Sequence, residues 1–274
     1  MSASQTPALI HESEESLVFG DHTFRIISDP SVGIGGHKWP AADMFCKVIC
    51  EKKWISFFSG LFAGKSVIEL GAGTGLVSVL VDRLFECQSI IVTDLESHIP
   101  LIERNLTINN TSSRCIAKSY NWIEDDFGSY DIILVFECVY NESLYSPLIQ
   151  TLGRLCGITS LVFLGLTRLF MKPSFFSLLR DAGFVYTLLP ESCLPSQYSD
   201  QFTHRDVGLF VVRRCRIWSR TNCIHIPEEE KGTESDLAVR EDDKQLEHMG
   251  TSKENVEKRL RDYILQVVLL PHVL

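Results

Sequence analysis

No stretch of this sequence is apolar for long enough to span a bilayer. Its most apolar runs, Leu161 to Leu166 and Ile264 to Leu270, fall far below the roughly 20 residues that a membrane helix needs, so no membrane partner is expected. Basic charge is also scarce: 26 Lys and Arg face 35 Asp and Glu, a net charge of −9. That sign disfavours a phosphate backbone, so nucleic acid is not expected as a partner, whereas a basic, lysine-bearing protein segment suits it. The nine cysteines include no C-x-x-C pair. Cys46 and Cys50 stand one helical turn apart, but two sulfurs without further ligands make a poor zinc site. No histidine pair has metal-ligand spacing either, and no metal is expected. Free thiols fit a reducing compartment, which points to the cytoplasm, with the nucleus beside it. The opening residues, Met1 to Pro7, have neither a basic start nor an apolar run, so no signal peptide is expected. No serine sits in a G-x-S-x-G elbow. His204-Arg205-Asp206 echoes a kinase catalytic loop but lacks the lysine strand and the asparagine that must accompany one.

What is present is the composition of a soluble globular protein, with 45% apolar and 22% charged residues over 274 positions. That length holds one α/β domain with a full core and some extra segment. Residues 1–16 read as a flexible start. Leu17 to Ile27 reads as a hairpin: Val18 and Phe19 precede a Gly20-Asp21 turn, and Phe24 and Ile26 alternate after it. Pro40, well tolerated at a first helical position, opens a helix to about Lys53.

From Lys65 onward strands and helices alternate. Strands are expected at Ser66 to Leu70, Ser89 to Thr93, Cys115 to Ser119, Asp131 to Phe136, Leu161 to Leu166, Phe184 to Leu189 and Val207 to Val212. Between them lie helices over Leu76 to Phe85, from a Ser97 cap to Asn109 or Asn110, from Ser143 to Leu155, and from Pro173 to Ala182 with Gly183 closing it. Pro147 must disturb the third of these or mark its true start. This alternation requires a mainly parallel seven-stranded sheet covered by helices on both faces, and the long connection before the last strand lets it enter antiparallel. After Arg216 the character changes. Glu228 to Glu247 is an acidic, solvated linker, and Lys253 to Leu270 is a candidate amphipathic helix. The domain is therefore expected over residues 17–215, with a tail over 216–274.

Chemistry concentrates after the first strands of the sheet. In Val67-Ile68-Glu69-Leu70-Gly71-Ala72-Gly73-Thr74-Gly75 a strand ends, alternate glycines turn the chain, and a helix begins. Glycine there allows a tight turn and a close backbone approach to a ligand. A dinucleotide-binding loop, G-x-G-x-x-G, would need glycine at position 76, which is Leu76. The G-x-G-x-G form with an acid two residues ahead is instead the usual loop of class I methyltransferases. Asp94, ending the next strand, can accept hydrogen bonds from both ribose hydroxyls, or alternatively cap a helix. Trp122 follows the third strand, where an indole can stack on a base or belong to the core. Glu137 and Tyr140, in Glu137-Cys138-Val139-Tyr140, follow the fourth strand, face the reacting end of a ligand held there, and are the candidate catalytic residues. For Glu137 the alternative is a surface cap on the next helix.

Taken with Trp39-Pro40-Ala41-Ala42 and with Asn105 and Asn109, these motifs resemble the family 16, seven-β-strand methyltransferases. The resemblance runs from about Leu17 to Arg214. It implies a Rossmann-like class I fold, S-adenosylmethionine as cofactor, and transfer to lysine in a protein such as a chaperone, an AAA ATPase or an elongation factor. By the same resemblance Trp39 and Trp122 enclose the cofactor, Glu69, Gly71, Gly73 and Asp94, with Gly75 in the same loop, hold it, and Glu137 to Tyr140 lies near the substrate lysine. One departure is that the family's acid-x-x-Tyr motif usually opens with aspartate. The extra methylene of Glu137 bears on which nitrogen the site fits. A non-catalytic cofactor-binding scaffold, and a methyltransferase for histidine or a small molecule, remain the rival readings.

Overall fold

The computed structural model describes residues 12–123, 127–168, 171–189, 194 and 206–215. The expected linker at Glu228 to Glu247 and helix at Lys253 to Leu270 lie outside the described residues, as does most of the expected flexible start. Among the described residues no helix is long and apolar enough to cross a membrane.

A two-stranded hairpin precedes the main sheet. β1 (Ser13–Phe19) and β2 (His22–Ser28) pair antiparallel, with Phe19 opposite His22 across a turn in which Gly20 has a φ of 58°. The hairpin thus begins at Ser13, earlier than the expected Leu17. Phe24 and Ile26 are buried, as their alternation requires.

Seven further strands form one sheet in the order β5-β4-β3-β6-β7-β9-β8. They are β3 (Ser66–Leu70), β4 (Ser89–Asp94), β5 (Cys115–Ser119), β6 (Tyr130–Phe136), β7 (Cys156–Thr167), β8 (Phe184–Leu188) and β9 (Val207–Arg214). β3 to β7 run parallel, and β9 enters antiparallel between β7 and β8. Both faces are buried, so side chains on one strand divide between two cores. Val67, Leu134, Phe163 and Val211 pack under α1 (Pro40–Cys50), α2 (Lys52–Phe62), α3 (Leu76–Leu84) and α4 (Ile99–Ile108). Ile68, Ile133, Leu164 and Val212 pack under α5 (Tyr145–Leu155) and α6 (Ser174–Asp181). Apolar residues at every position of a central strand are the signature of this two-sided burial.

Two helix expectations need correction. The helix from Pro40 stops at Cys50, and a second helix, α2, follows after extended Glu51. Trp54, Phe58 and Phe62 of α2 are buried at four-residue spacing, which turns this helix onto the core independently of α1. Ser97 does not cap α4. It sits inside a short 3-10 turn, Glu96–His98, and α4 begins at Ile99 with Pro100 in its first turn and no side-chain cap.

The hairpin is bound to the domain by two buried asparagines, Asn105 of α4 and Asn109 at its C-cap. Asn109 accepts from the Arg25 amide (3.0 Å) and donates to the Arg25 carbonyl (2.6 Å). Asn105 does the same for Ile27, accepting at 2.7 Å and donating at 2.9 Å. Each side-chain amide therefore stands in for the next strand along the outer edge of β2. The Asn105 amide also donates to the Thr74 carbonyl at 2.9 Å, which joins hairpin, α4 and the turn after β3.

Candidate active site

The strand order reverses at β3, with β4 on one side and β6 on the other, and a crevice opens at such a switch point beyond the carboxyl ends of the strands. Here a cleft of about 500 Å³ occupies that place. Its floor is the turn after β3. Gly71, Gly73 and Gly75 have φ values of 59°, 57° and 75°, so every second residue of the turn is left-handed. At two of them space is short as well. A Cβ on Gly71 would lie 2.7 Å from Cys138 Sγ, and one on Gly73 would lie 2.7 Å from the Gly35 carbonyl oxygen. Gly75 differs: it precedes α3, its nearest neighbour is Ile102 at 3.4 Å, and it does not line the cleft.

Three acids surround this floor, and each accepts hydrogen bonds from backbone amides. Glu69 is buried and accepts from both the amide and the hydroxyl of Ser78 in the first turn of α3, at 3.1 and 2.5 Å. It thereby caps a helix whose own N-cap, Gly75, has no side chain to offer. Burial pushes its carboxyl up to about 7, against the Ser78 hydrogen bonds, which act the other way. Asp94 accepts from the Gly73 amide at 2.8 Å and the Leu95 amide at 2.7 Å. It also lies 3.4 Å from His98 Nδ1. Glu137 accepts from the Ala41 amide at 3.0 Å, and from the hydroxyl and amide of Thr167 at 2.6 and 2.9 Å.

Aromatic and aliphatic groups form the walls. Trp39 donates through Nε1 to the Ile34 carbonyl at 2.9 Å. Trp122 lies over the turn, with Cζ2 3.5 Å from a Cβ built on Gly71. Its carbonyl accepts from Thr151 at 3.0 Å and from Arg154, so α5 fixes this loop from behind. Tyr140 lines the same cleft and is partly exposed, and burial, followed by Cys138 and Asp94, pushes its phenol above the usual range. Ile34, Leu95 and Ile123 are exposed yet all face this one cleft, an arrangement that suits a ligand with apolar surface.

A model of the lysine methyltransferase family matches residues 19–181. The chain belongs to that family. Among its relatives, EEF1A lysine methyltransferase 3 of Xenopus tropicalis is 36% identical over 138 residues, covering 49% of this chain and 58% of the relative. Protein-lysine N-methyltransferase EFM6 of Saccharomyces cerevisiae is 32% identical over 141 residues, covering 44% of this chain and 57% of that one. The chain thus spans somewhat over half the length of these relatives. The Thermus thermophilus 16S rRNA N2 G1207 methyltransferase RsmC, solved with AdoMet and guanosine, shares the fold with a TM-score of 0.52. It is 15% identical, covering 75% of this chain and 51% of that one.

In this lysine methyltransferase family member the cleft gathers all the sequence-derived site residues except Gly75. It also includes His98, which sequence reasoning passed over. His98 is buried, lies one helical turn after Asp94, and has no partner at Nε2 among the described residues. Its spacing from Asp94 was the available signal. The match to the family ends at Asp181, whereas the sheet goes on through β8 and β9.

Proposed function

We propose that this chain transfers a methyl group from S-adenosylmethionine to a lysine side chain of a protein. The observation that carries this is the side-chain-free turn at Gly71 and Gly73, hydrogen-bonded to Asp94 and sharing with Tyr140 a cleft large enough for a nucleoside. The donor set fits the cofactor. Gly71 and Gly73 expose backbone where its amino-acid part would lie, Asp94 offers carboxylate oxygens to ribose hydroxyls, and Leu95, Ile123 and Trp122 offer apolar faces to the base. Glu69, buried and hydrogen-bonded to Ser78 at the start of α3, would face the cofactor's cationic end.

When bound, S-adenosylmethionine supplies an electrophilic methyl carbon on a positively charged sulfur. The protein must then place a neutral amine about 3 Å away, in line with the sulfur. A lysine of ordinary pKa near about 10.4 has to lose its proton to serve, and a site that excludes water favours the neutral form. Tyr140, with its phenol still protonated, can accept a hydrogen bond from that amine and orient its lone pair. An acidic surface attracts a lysine-rich partner. Elongation factor 1A, named in one relative, is the first candidate substrate; a chaperone or ATPase is the wider class. The buried cysteines that are free among the described residues accord with a cytoplasmic or nuclear setting.

The test is a cell extract incubated with the purified chain and methyl-labelled S-adenosylmethionine, with an Asp94→Ala protein in parallel. Label on one protein band, absent with Asp94→Ala, is the expected outcome. Label only in small molecules would reject a protein acceptor.

A further inference from the structure

Glu137 carries a signal that a surface acid does not: its φ is 57°, in the left-handed region that non-glycine residues avoid. Its amide donates to the Gly165 carbonyl at 2.8 Å, and its carboxylate is occupied by Ala41 and Thr167. The donors are all protein groups, and they lie on two different elements. Ala41 belongs to the first turn of α1, a helix whose N-cap, Trp39, supplies no side-chain hydrogen bond. Thr167 is the last residue of β7, is buried, and does not line the cleft. The carboxylate therefore caps α1 and ties it to the end of β7.

What α1 carries at that end is one wall of the cleft. Trp39 immediately precedes the helix and holds the Ile34 carbonyl. The next residue, Gly35, puts its carbonyl oxygen against Gly73, and a Cβ on Gly35 would lie 2.6 Å from His98 Nε2. Hydrogen bonds and the chain itself thus link Thr167 through Glu137, Ala41, Trp39, Ile34 and Gly35 to the glycine turn. We propose that Glu137 is a positioning residue: anchored by Thr167, it seats the segment from Ile34 to Trp39 against the turn that binds the cofactor. This rests on the reading that the cleft holds S-adenosylmethionine.

Only an acceptor on both oxygens satisfies the three donors, so glutamine, which presents an NH₂ to one of them, is a poor substitute. Thr167→Val keeps the shape and the amide but removes the 2.6 Å hydroxyl bond. Thr167 does not line the cleft, so its effect on a ligand there passes through Glu137. The expected result, by isothermal titration with S-adenosylmethionine, is a Kd weakened about tenfold in Thr167→Val, with Thr167→Ser restoring it. Glu137→Gln should be weakened likewise, and Thr167→Val/Glu137→Gln no further than Glu137→Gln alone, as two members of one network require. Glu137→Gly, which suits the left-handed backbone, supplies the same readout should the glutamine protein fold poorly. Wild-type affinity in Thr167→Val, together with a Glu137→Gln or Glu137→Gly protein that binds cofactor normally but fails to methylate, would overturn the proposal and give Glu137 a direct role. A wild-type protein that binds no S-adenosylmethionine would overturn the reading of the cleft, and the proposal with it.

Discussion

Residue by residue, the site separates glycines that line the cleft from one that only turns the chain. All three of Gly71, Gly73 and Gly75 are left-handed, so alanine at any of them costs about 1–2 kcal/mol in backbone strain. Gly71→Ala also drives a methyl into Cys138 Sγ on the cleft floor, whereas Gly75→Ala meets nothing closer than 3.4 Å. Thermal melts should therefore show both variants destabilised, while titration with S-adenosylmethionine should show affinity lost in Gly71→Ala and largely kept in Gly75→Ala. Equal affinities would remove the floor from the binding account. Glu69 gives a pH dependence with a definite sign. Its folded-state pKa of about 7 lies above the ordinary 4.5, so the native protein holds a proton that the unfolded chain gives up. The stability this confers is complete below 4.5 and is lost as pH rises through about 7, a change on the order of 3 kcal/mol. Urea unfolding from pH 4.5 to 8 should show the wild-type midpoint falling relative to Glu69→Gln across that window. A constant difference would show that the Ser78 hydrogen bonds outweigh burial. Much of this scale was legible in the sequence, since glycine spacing and strand-end acids announce themselves. The partners of Glu137 were not, because Ala41 and Thr167 are remote in sequence and meet only through the fold.

Elements were legible where periodicity is strong and capping residues are conventional. Each of the seven main strands was found, because short β-branched runs between helices have few other readings. The break between α1 and α2 was missed because Glu51 is neither glycine nor proline, and the charged run Glu51-Lys52-Lys53 reads as a helix end rather than as the start of a second helix. Ser97 misled because serine before an apolar run is a usual cap, yet Pro100 lets α4 start without one. Asn105 and Asn109 stood out as motif residues, but their work belongs to the hairpin. With four hydrogen bonds between them to Arg25 and Ile27, they complete the edge of β2. Asn109→Ala should leave the sheet intact while the Arg25 amide exchanges faster with solvent. Asn105→Ala, which also frees the Thr74 carbonyl, should cost about 1–3 kcal/mol globally and weaken cofactor binding as well. Hydrogen exchange read by mass spectrometry separates the two. Unchanged protection of the hairpin in Asn109→Ala would mean that its docking rests on Phe24 and Ile26 alone.

At the scale of the whole molecule, topology does what no single motif does. The reversal of strand order at β3 brings Gly71 after β3, Asp94 after β4, Trp122 after β5 and Glu137 after β6 to one rim, although more than sixty residues separate the first from the last. Helix starts then supply the amides that hold the acids: α3 for Glu69 and α1 for Glu137. The sequence could place each motif at a strand end, but the depth of the cleft and the seat of Ile34 to Trp39 on the glycine turn emerge only in three dimensions. The most direct measurement of the central claim uses purified wild-type and Asp94→Ala proteins, S-adenosylmethionine and a purified candidate substrate such as elongation factor 1A. Peptides of the substrate are then read by mass spectrometry. One methyl increment or more on a lysine, dependent on both cofactor and Asp94, is the expected result. Methylation confined to histidine, or no methylation of any protein in a complete extract, would contradict it.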